Sequence, residues 1–327
     1  MRAVLIREPG DETVLEVGEA PSPELVPGSL RVRVVAAGVN RADLMQREGL
    51  YPPPPGASAI LGLECAGVVE EVAGDVEGFE PGDRVMALLS GGGYAEEVVV
   101  DAGSVMRVPG GMGFEEAGAL PEVFLTVFLN VFQLAGLAKG QNLLVHGGGS
   151  GIGTAAIQLA RLAKATIFVT AGSEEKCAKC LELGADHAID YRSGDFDRQV
   201  LDATSGRGVD VILDHMGASY LERNLRCLAT GGRQVTIGLM GGAKAEINLA
   251  GLLSKRQQLI GSTLRARSNP EKKELVEGFL ARFGARLQSA EIAPVVDQVF
   301  MLSEVAQAHR VMKASSHFGK LLLAISS

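Results

Sequence analysis

A run of seven residues, Gly147-Gly-Gly-Ser-Gly-Ile-Gly153, is the part of the sequence best suited to bind a charged ligand. It follows an apolar stretch, Leu143–His146, and precedes an amphipathic stretch that extends to Lys164. A loop between a strand and a helix offers a phosphate group backbone N–H donors and a favourable helix dipole. Two registers of the dinucleotide-binding pattern fit: Gly148-x-Ser150-x-x-Gly153 and Gly151-x-Gly153-x-x-Ala156. We predict a dinucleotide-binding loop; a tight turn without a ligand is the alternative.

The end of the next predicted strand, Thr166–Thr170, indicates which dinucleotide would bind. An NAD site usually has Asp or Glu there, about 20 residues after the loop, to hold the ribose 2′-hydroxyl. This sequence instead has Gly172 and Ser173, which leave room for a 2′-phosphate, and Lys176 follows one helical turn later. Two neighbouring glutamates oppose a phosphate by their charge. We predict NADPH as the cofactor; the alternative for Lys176 is a solvated helix lysine.

The cysteines and histidines form no metal-binding pattern. Cys177 and Cys180 have a spacing seen in zinc sites, but they lie on a predicted helix and no second cysteine pair follows. We therefore predict that both cysteines pack in the interior and that no metal is bound. Among the five histidines, which form no local cluster, His146 is expected to be a hydrogen-bonded residue near the core.

Three stretches of the chain must position these residues. Residues 1–118 contain short strand-like runs, such as Leu30–Ala37, separated by Gly/Pro turns, which is typical of a small barrel-like β domain. Residues 119–259 alternate strand and helix patterns, with one strand predicted over 233–238, which indicates a parallel sheet with helical crossovers. Residues 260–327 return to the first style. The sequence therefore predicts an α/β protein in which a doubly wound parallel-sheet domain is inserted into a β domain, with a cleft between them.

Composition narrows the possible partners. The chain has 327 residues, a net charge of −8 and 46 % hydrophobic residues. These values disfavour a disordered chain, a nucleic-acid partner and an anionic membrane surface. The uncharged stretch Val123–Ala138 is shorter than the roughly 20 residues that a membrane span needs, so we expect a buried helix. Four cysteines and an N-terminus without a signal-peptide pattern favour a cytoplasmic location.

Two long motifs resemble one known family. Asn40–Pro52 and Gly140–Arg161 are similar to the substrate-side and cofactor motifs of the quinone oxidoreductase/zeta-crystallin branch of the medium-chain dehydrogenase/reductase superfamily. Within that branch, the sequence is most similar to the tumour-suppressor-inducible NADPH quinone oxidoreductases. Gly62-Leu-Glu64 stands where zinc-dependent relatives have Gly-His-Glu, and Val39-Asn40 where they have a metal-binding cysteine. The resemblance implies a GroES-like catalytic domain, a Rossmann domain, a zinc-free site and a homodimer or homotetramer.

The resemblance also implies roles for individual residues. Tyr51 would donate a hydrogen bond or a proton to the substrate, and Asn40 would be a positioning amide; a rigid packing role is the alternative for Tyr51. Asp43 would line the same cleft or brace the local helix, and Thr126 would reach the cleft or pack in the core. The loop residues that meet the pyrophosphate would be Gly148, Gly149, Ser150, Gly151, Ile152 and Gly153. The other residues near the cofactor would be Ser173, Lys176 and Tyr191 on the adenosine side, and Leu239, Met240, Gly241 and Leu264 on the nicotinamide side.

This site implies hydride transfer to an acceptor that is already electrophilic, because the cofactor carries the reactivity. An NADPH-dependent quinone oxidoreductase is the leading interpretation. An ene-reductase that acts on alkenals or enones is the nearest alternative. A non-catalytic NADPH-binding structural or regulatory protein is the alternative from another class.

Overall fold

Strands dominate both ends of the chain, and strands alternate with helices in the middle. The computed structural model describes residues 1–192 and 194–325. Within them the strands are β1 (Arg2–Ile6), β2 (Leu15–Glu19), β3 (Ser29–Val39), β4 (Glu64–Val72), β5 (Arg84–Leu88), β6 (Glu97–Asp101), β7 (Val105–Arg107), β8 (Asn142–His146), β9 (Thr166–Ala171), β10 (His187–Asp190), β11 (Val209–Asp214), β12 (Leu228–Thr236), β13 (Gln258–Gly261), β14 (Val296–Met301) and β15 (Lys320–Ala324). The α-helices are α1 (Arg41–Arg47), α2 (Phe114–Gly118), α3 (Pro121–Val127), α4 (Gly151–Leu162), α5 (Glu174–Leu183), α6 (Phe196–Ala203), α7 (Ala218–Cys227), α8 (Leu249–Ser254), α9 (Asn269–Gln288) and α10 (Val305–Ala314).

The chain divides into two units. Unit 1 comprises Met1–Leu125 and the described residues from Leu264 onward, and unit 2 comprises Thr126–Thr263. The sequence predicts the corresponding boundaries after residues 118 and 259.

Unit 1 is built on a sheet in the order β14-β15-β3-β4-β5-β7, with β6 also pairing with β3. Its pairs are antiparallel except β14 with β15. Strand β3 pairs with β4, β6 and β15, and its side chains alternate: Leu30, Val32 and Val34 are buried, while Arg31 and Arg33 are partly exposed. Strands β1 and β2 form a separate antiparallel pair.

Unit 2 contains a parallel sheet in the order β10-β9-β8-β11-β12-β13. Numbered from the first strand of the unit, this is the order 3-2-1-4-5-6 of a doubly wound dinucleotide-binding fold. The strand order reverses between β8 and β11, and ligands of such folds bind beyond the carboxyl ends of the strands at that point. The glycine loop follows β8 directly. The predicted α/β fold class is confirmed.

The sequence located most elements but misplaced one strand. It predicted a strand over 233–238, whereas β12 spans Leu228–Thr236. Gly231 and Gly232, which resemble a turn in the sequence, lie inside this strand at an irregularity in its pairing with β11. Glycines in a strand often mark such a bulge.

The uncharged stretch near residue 123 is helical, as expected. Helix α3 continues into a π-helical segment, Phe128–Leu134, and most of its side chains are buried. Among the described residues, no helix combines the length and the apolar character that a membrane crossing requires.

Candidate functional site

Unit 1 contains a buried cluster of charged side chains centred on Glu64, the first residue of β4. One carboxylate oxygen accepts the Lys320 ammonium at 2.6 Å and the Asn40 side-chain amide at 3.0 Å. The other accepts the backbone N–H of Glu122 at 2.8 Å. Glu64 and Lys320 are 0 % and 3 % exposed as side chains, so this is a fully buried ion pair. Such a pair is tolerated because further hydrogen bonds satisfy both partners.

Asn40 lies immediately before α1, and both the nitrogen and the oxygen of its side-chain amide form hydrogen bonds. Its nitrogen donates to Glu64, and its oxygen accepts from Lys320 at 2.6 Å. Lys320 also donates to the backbone carbonyl of Val39 at 3.1 Å. The amide therefore joins β4, β15 and the start of α1, and its orientation is fixed by the ion pair.

Asp43 occupies the bracing role that the sequence left open. One of its carboxylate oxygens accepts the N–H of Asn40 at 2.8 Å and the Tyr94 hydroxyl at 3.0 Å; the other accepts the N–H of Gly62 at 3.2 Å. Burial raises the pKa of Asp43 to about 6 despite these hydrogen bonds. Since the side chain is fully buried and both of its oxygens accept hydrogen bonds, Asp43 braces α1 in this structure, and contact between Asp43 and a substrate stays a prediction.

Tyr51 contacts a buried arginine through its ring and through its backbone carbonyl. The Arg265 guanidinium lies 5.4 Å from the centre of the Tyr51 ring and donates to the Tyr51 carbonyl at 3.3 Å. It also donates to the Gln46 side chain at 2.6 Å and to the Ser90 carbonyl at 2.8 Å. Burial raises the pKa of the Tyr51 phenol, and the charge of Glu122 raises it further. Arg265 thus fixes a partly exposed tyrosine that keeps its proton at neutral pH.

Glu122 is a residue of this cluster that the sequence analysis did not identify. It lies in the first turn of α3, and one of its carboxylate oxygens is buried without a hydrogen-bond partner among residues 1–192 and 194–325. Glu64, Arg265 and Lys320 were likewise not identified as members of a common site. They lie far apart in sequence, and no local spacing connects them.

The glycine loop of unit 2 is closed by Ser150, which caps α4. The Ser150 hydroxyl accepts the N–H of Gly153 at 3.0 Å and donates to the Gly147 carbonyl at 2.7 Å. A methyl group on Gly153 would overlap the carbonyl oxygens of Gly147 and Gly148. Gly153 therefore permits close approach of α4 to the end of β8, which is the role of the third glycine in the dinucleotide pattern. This packing favours the register Gly148-x-Ser150-x-x-Gly153.

The loop fits the pyrophosphate of a dinucleotide. The first N–H groups of α4, at Gly151 and Ile152, have no intrahelical acceptor, since every α-helix leaves its first donors unpaired. The loop also stands at the reversal point of the strand order. Gly149, Gly151 and Gly153 are buried, and Ser150 and Ile152 are partly exposed.

The predicted adenosine-side residues come together at the carboxyl ends of β9 and β10. Ser173 caps α5 by accepting the N–H of Lys176 at 3.2 Å. The Tyr191 hydroxyl lies against Gly172, 2.6 Å from where a Cβ on that residue would be. Tyr191 is exposed and Lys176 is partly exposed.

The predicted nicotinamide-side residues are divided between the two units. Leu239, Met240 and Gly241 form a turn after β12, and the Gly241 N–H donates to the Met216 carbonyl at 2.7 Å. The first two are exposed. Leu264 is buried in unit 1. Thr126, the first residue of unit 2, is buried.

Cysteines and a histidine of unit 2 lie in its interior. Cys177 and Cys180 are buried free thiols on α5, and the Cys180 sulfur packs beneath Gly148, as expected for packing residues. His146 is buried and hydrogen-bonded to Thr170 at 3.1 Å and Asn224 at 2.7 Å, which confirms its prediction. In the described part of the chain, no group of three or more His, Cys, Asp or Glu residues is placed to hold a metal ion.

Two family models match the chain. The alcohol dehydrogenase GroES-like domain matches residues 26–110, and the zinc-binding dehydrogenase model matches residues 151–281. The human synaptic vesicle membrane protein VAT-1 homolog is 34 % identical over 96 % of this chain and 83 % of its own length. A phenolphthiocerol/phthiocerol polyketide synthase of Mycobacterium tuberculosis is 31 % identical over 98 % of the chain, which spans 14 % of that synthase's length.

Solved structures with the same fold include several oxidoreductases. An NAD-dependent alcohol dehydrogenase has a TM-score of 0.88 and 34 % identity, with full coverage of both chains. Escherichia coli quinone oxidoreductase complexed with NADPH has a TM-score of 0.85 and 26 % identity, covering 99 % of this chain and 100 % of that one. The CurK enoyl reductase has a TM-score of 0.86 and 26 % identity, covering 99 % and 98 %.

Proposed function

The chain belongs to the medium-chain dehydrogenase/reductase superfamily, whose oxidoreductases use a nicotinamide cofactor, and on that premise we propose that it is an NADPH-dependent quinone oxidoreductase. The observation that carries the proposal is the glycine loop Gly147–Gly153 at the reversal point of a 3-2-1-4-5-6 sheet. Quinones are proposed as acceptors because the quinone oxidoreductase of E. coli shares the fold over nearly the full chain. We further propose that the chain belongs to the tumour-suppressor-inducible subgroup of the NADPH quinone oxidoreductases.

The proposed cofactor contacts follow the two halves of a dinucleotide. Backbone N–H groups of Gly148 to Gly153 would hold the pyrophosphate. Ser173, Lys176 and Tyr191 would surround the 2′-phosphate, with Lys176 as its positive partner. The turn Leu239-Met-Gly241 and Leu264 would contact the nicotinamide half. Reduced nicotinamide, when bound, supplies a hydride.

The residues of unit 1 would orient the acceptor and stabilise the charge that it gains. Tyr51 is proposed to donate a hydrogen bond to the acceptor oxygen, because its raised pKa keeps the phenol protonated and Arg265 fixes its loop. Asn40 is proposed to act indirectly, by holding the Glu64–Lys320 pair and the start of α1. Thr126, the first residue of unit 2, is also proposed to contact the acceptor.

The surface of unit 2 supports a proposal on self-association, and the free cysteines support one on cellular location. Strand β13 ends the sheet of unit 2, and Leu259 on it is exposed, as are Leu249 and Leu253 nearby. An edge strand can pair with a copy of itself, so we propose a homodimer or homotetramer. The four buried free cysteines fit a reducing compartment, and we propose the cytoplasm.

The test is cofactor oxidation with two acceptor panels, ortho- and para-quinones against short enals and enones, each with NADPH and with NADH. Fast turnover of quinones with a preference for NADPH is expected. Tyr51→Phe should then lower kcat about 100-fold, the usual loss for one oxyanion donor. Comparable rates with NADH would contradict the cofactor assignment.

Reduction of enones alone is the second candidate, and the shared fold of the CurK enoyl reductase favours keeping it. That outcome would move the proposed reaction to carbon–carbon double bonds. Tight NADPH binding without turnover on either panel would favour the non-catalytic alternative.

A further inference from the structure

The Glu122 carboxyl group is the acidic group of unit 1 that the contacts above leave without a structural role. Its backbone N–H donates a hydrogen bond of 2.8 Å to the Glu64 carboxylate, which fixes the main chain at this position. The buried oxygen of its side chain has no hydrogen-bond partner among residues 1–192 and 194–325. By contrast, both oxygens of Glu64 and both of Asp43 are occupied. A buried oxygen without a partner is costly and requires an explanation, and a catalytic role is one such explanation.

The surroundings of Glu122 favour its neutral form. Glu64 on β4 and Asp43 on α1 are negative and oppose its ionisation, whereas Lys320 on β15 and Lys272 on α9 favour it. Glu64 already engages Lys320 directly, and the Lys272 ammonium donates to the Ser90 hydroxyl at 2.5 Å. Burial, followed by the Glu64 charge, raises the pKa of Glu122 to about 8. Its carboxyl group is therefore mostly protonated at pH 7 and able to donate a hydrogen bond.

Tyr51 is within electrostatic range of this group. The Glu122 charge raises the pKa of the Tyr51 phenol, and Arg265 lowers it. Glu122 and Tyr51 are therefore two protonated donors in one electrostatic environment. Glu122 is partly exposed as a whole residue, whereas one of its carboxyl oxygens is buried.

We propose that Glu122 is the general acid of unit 1, and that it transfers its proton to the acceptor oxygen that gains an electron pair during reduction. The inference rests on the proposed function and adds a catalytic residue to it. The acceptor would receive one hydride from the reduced nicotinamide cofactor, and the cofactor would thereby be oxidised. The acceptor oxygen then takes the Glu122 proton, which gives a neutral hydroquinone or enol and a Glu122 carboxylate. A solvent proton restores the acid before the next turnover.

The first measurement is the pH dependence of kcat for the wild type, Glu122→Gln and Glu115→Gln. Glu115 is an exposed glutamate one helix earlier in the chain, so its variant is a matched control. The wild type should lose kcat above about pH 8, tenfold per pH unit. Glu122→Gln should lower kcat about 100-fold at pH 7 and lose this alkaline limb, since an amide cannot supply a proton. Glu115→Gln should match the wild type.

A second measurement does not depend on turnover. Infrared difference spectra between pH 7 and pH 10 should contain the carbonyl stretch of a protonated carboxylic acid in the wild type, and Glu122→Gln should lack that band. NADPH affinity, measured by fluorescence titration, should stay within about twofold of the wild type in this variant.

Some results would overturn the role of Glu122 but leave the proposed function intact. One is an active Glu122→Gln variant that keeps the alkaline limb of the pH profile. Another is an infrared band that is identical in the wild type and in Glu122→Gln. A fall in kcat that is matched by an equal loss of NADPH affinity would also overturn it, because that pattern indicates a structural defect. A wild type that reduces neither quinones nor enones would overturn the proposed function, and this role with it.

Discussion

The two units build their candidate sites from different parts of the chain. In unit 1, charged side chains from β4, β15, α1 and α3 meet in the interior, and their carboxylates and ammonium groups hold one another. In unit 2, one continuous segment of backbone forms a loop whose hydrogen bonds are made by Ser150 and by main-chain groups. The first site depends on paired charges, whereas the second depends on small residues that allow close backbone approach.

Because of this difference, the two sites should tolerate different substitutions. A buried ion pair that loses one partner leaves an uncompensated charge, whose cost is electrostatic and large. A glycine loop that gains a methyl group meets a steric obstacle, whose cost depends on how far the backbone can shift. Substitutions in the two units should therefore differ in size and in their dependence on pH.

The largest effect is expected from Lys320→Met. This substitution removes the ammonium group from Glu64 but leaves the buried carboxylate in place. We expect the free energy of unfolding to fall by about 3–5 kcal/mol, measured by urea denaturation at pH 7. Lys313→Met, at an exposed lysine of α10, is the control and should change stability little.

Coupling between the Glu64 and Lys320 charges can be tested by neutralising Glu64 as well as Lys320. Glu64→Gln combined with Lys320→Met should recover part of the lost stability, because replacing both charges is tolerated better than removing one. A double variant as unstable as the sum of two single variants would argue that the charges are not coupled.

Gly153→Ala should have the next largest effect. The added methyl group would meet the Gly147 and Gly148 carbonyls, which are backbone atoms that cannot rotate away. We expect a loss of about 1–3 kcal/mol in unfolding free energy and at least a tenfold weaker NADPH affinity by fluorescence titration. Gly251→Ala, at a helical glycine of α8 with open space around it, should bind NADPH like the wild type. Equal affinities for all three proteins would show that the close approach at Gly153 is not needed for the cofactor.

His146 makes the stability of unit 2 depend on pH in a way that the carboxylates of unit 1 do not. Burial lowers the pKa of His146 to about 3, so below pH 6.5 the unfolded chain takes up a proton that the folded chain does not. Stability from this residue is full above pH 6.5 and is lost as the pH falls. We expect its contribution to drop by about 2 kcal/mol between pH 8 and pH 5.

The measurement compares urea denaturation of the wild type with that of His146→Gln at both pH values. Titration of every other group, including the buried His309, cancels in the difference between the two proteins. A difference that does not change with pH would mean that His146 is protonated in the folded state.

The sequence predicted the fold well because its signals were local. Alternating apolar residues located β3, and the apolar run before the glycine loop located β8 within one residue. The strand β12 was misplaced because Gly231 and Gly232 resemble a turn in the sequence, while the strand continues through a bulge at that point. A glycine pair indicates a special backbone conformation but does not tell a turn from a bulge.

The candidate site was predictable in unit 2 and only partly in unit 1. The loop from Gly147 to Gly153 is a single segment whose spacing encodes its geometry. Glu64 and Lys320 are separated by more than 250 residues and meet only because β15 pairs with β3 beside β4. Glu122 carries no signal of its own, since a glutamate in the first turn of a helix is common for reasons of the helix dipole.

The smallest effect is expected where a side chain, rather than the backbone, contributes to the unit 2 site. Lys176→Ala should weaken the affinity for NADPH about tenfold, because a charge-assisted hydrogen bond from a partly exposed lysine lies at the low end of about 1.5–3 kcal/mol. NADH, which lacks the 2′-phosphate, should bind within about twofold of the wild type. Lys179→Ala is a matched control on the same helix, at an exposed lysine paired with Glu175. If Lys176→Ala weakens both cofactors equally, the lysine does not meet the phosphate, and cofactor choice in unit 2 must come from Gly172 and Ser173 alone. A selective loss would show that even a site made mainly of backbone uses one charged side chain to tell two nearly identical ligands apart.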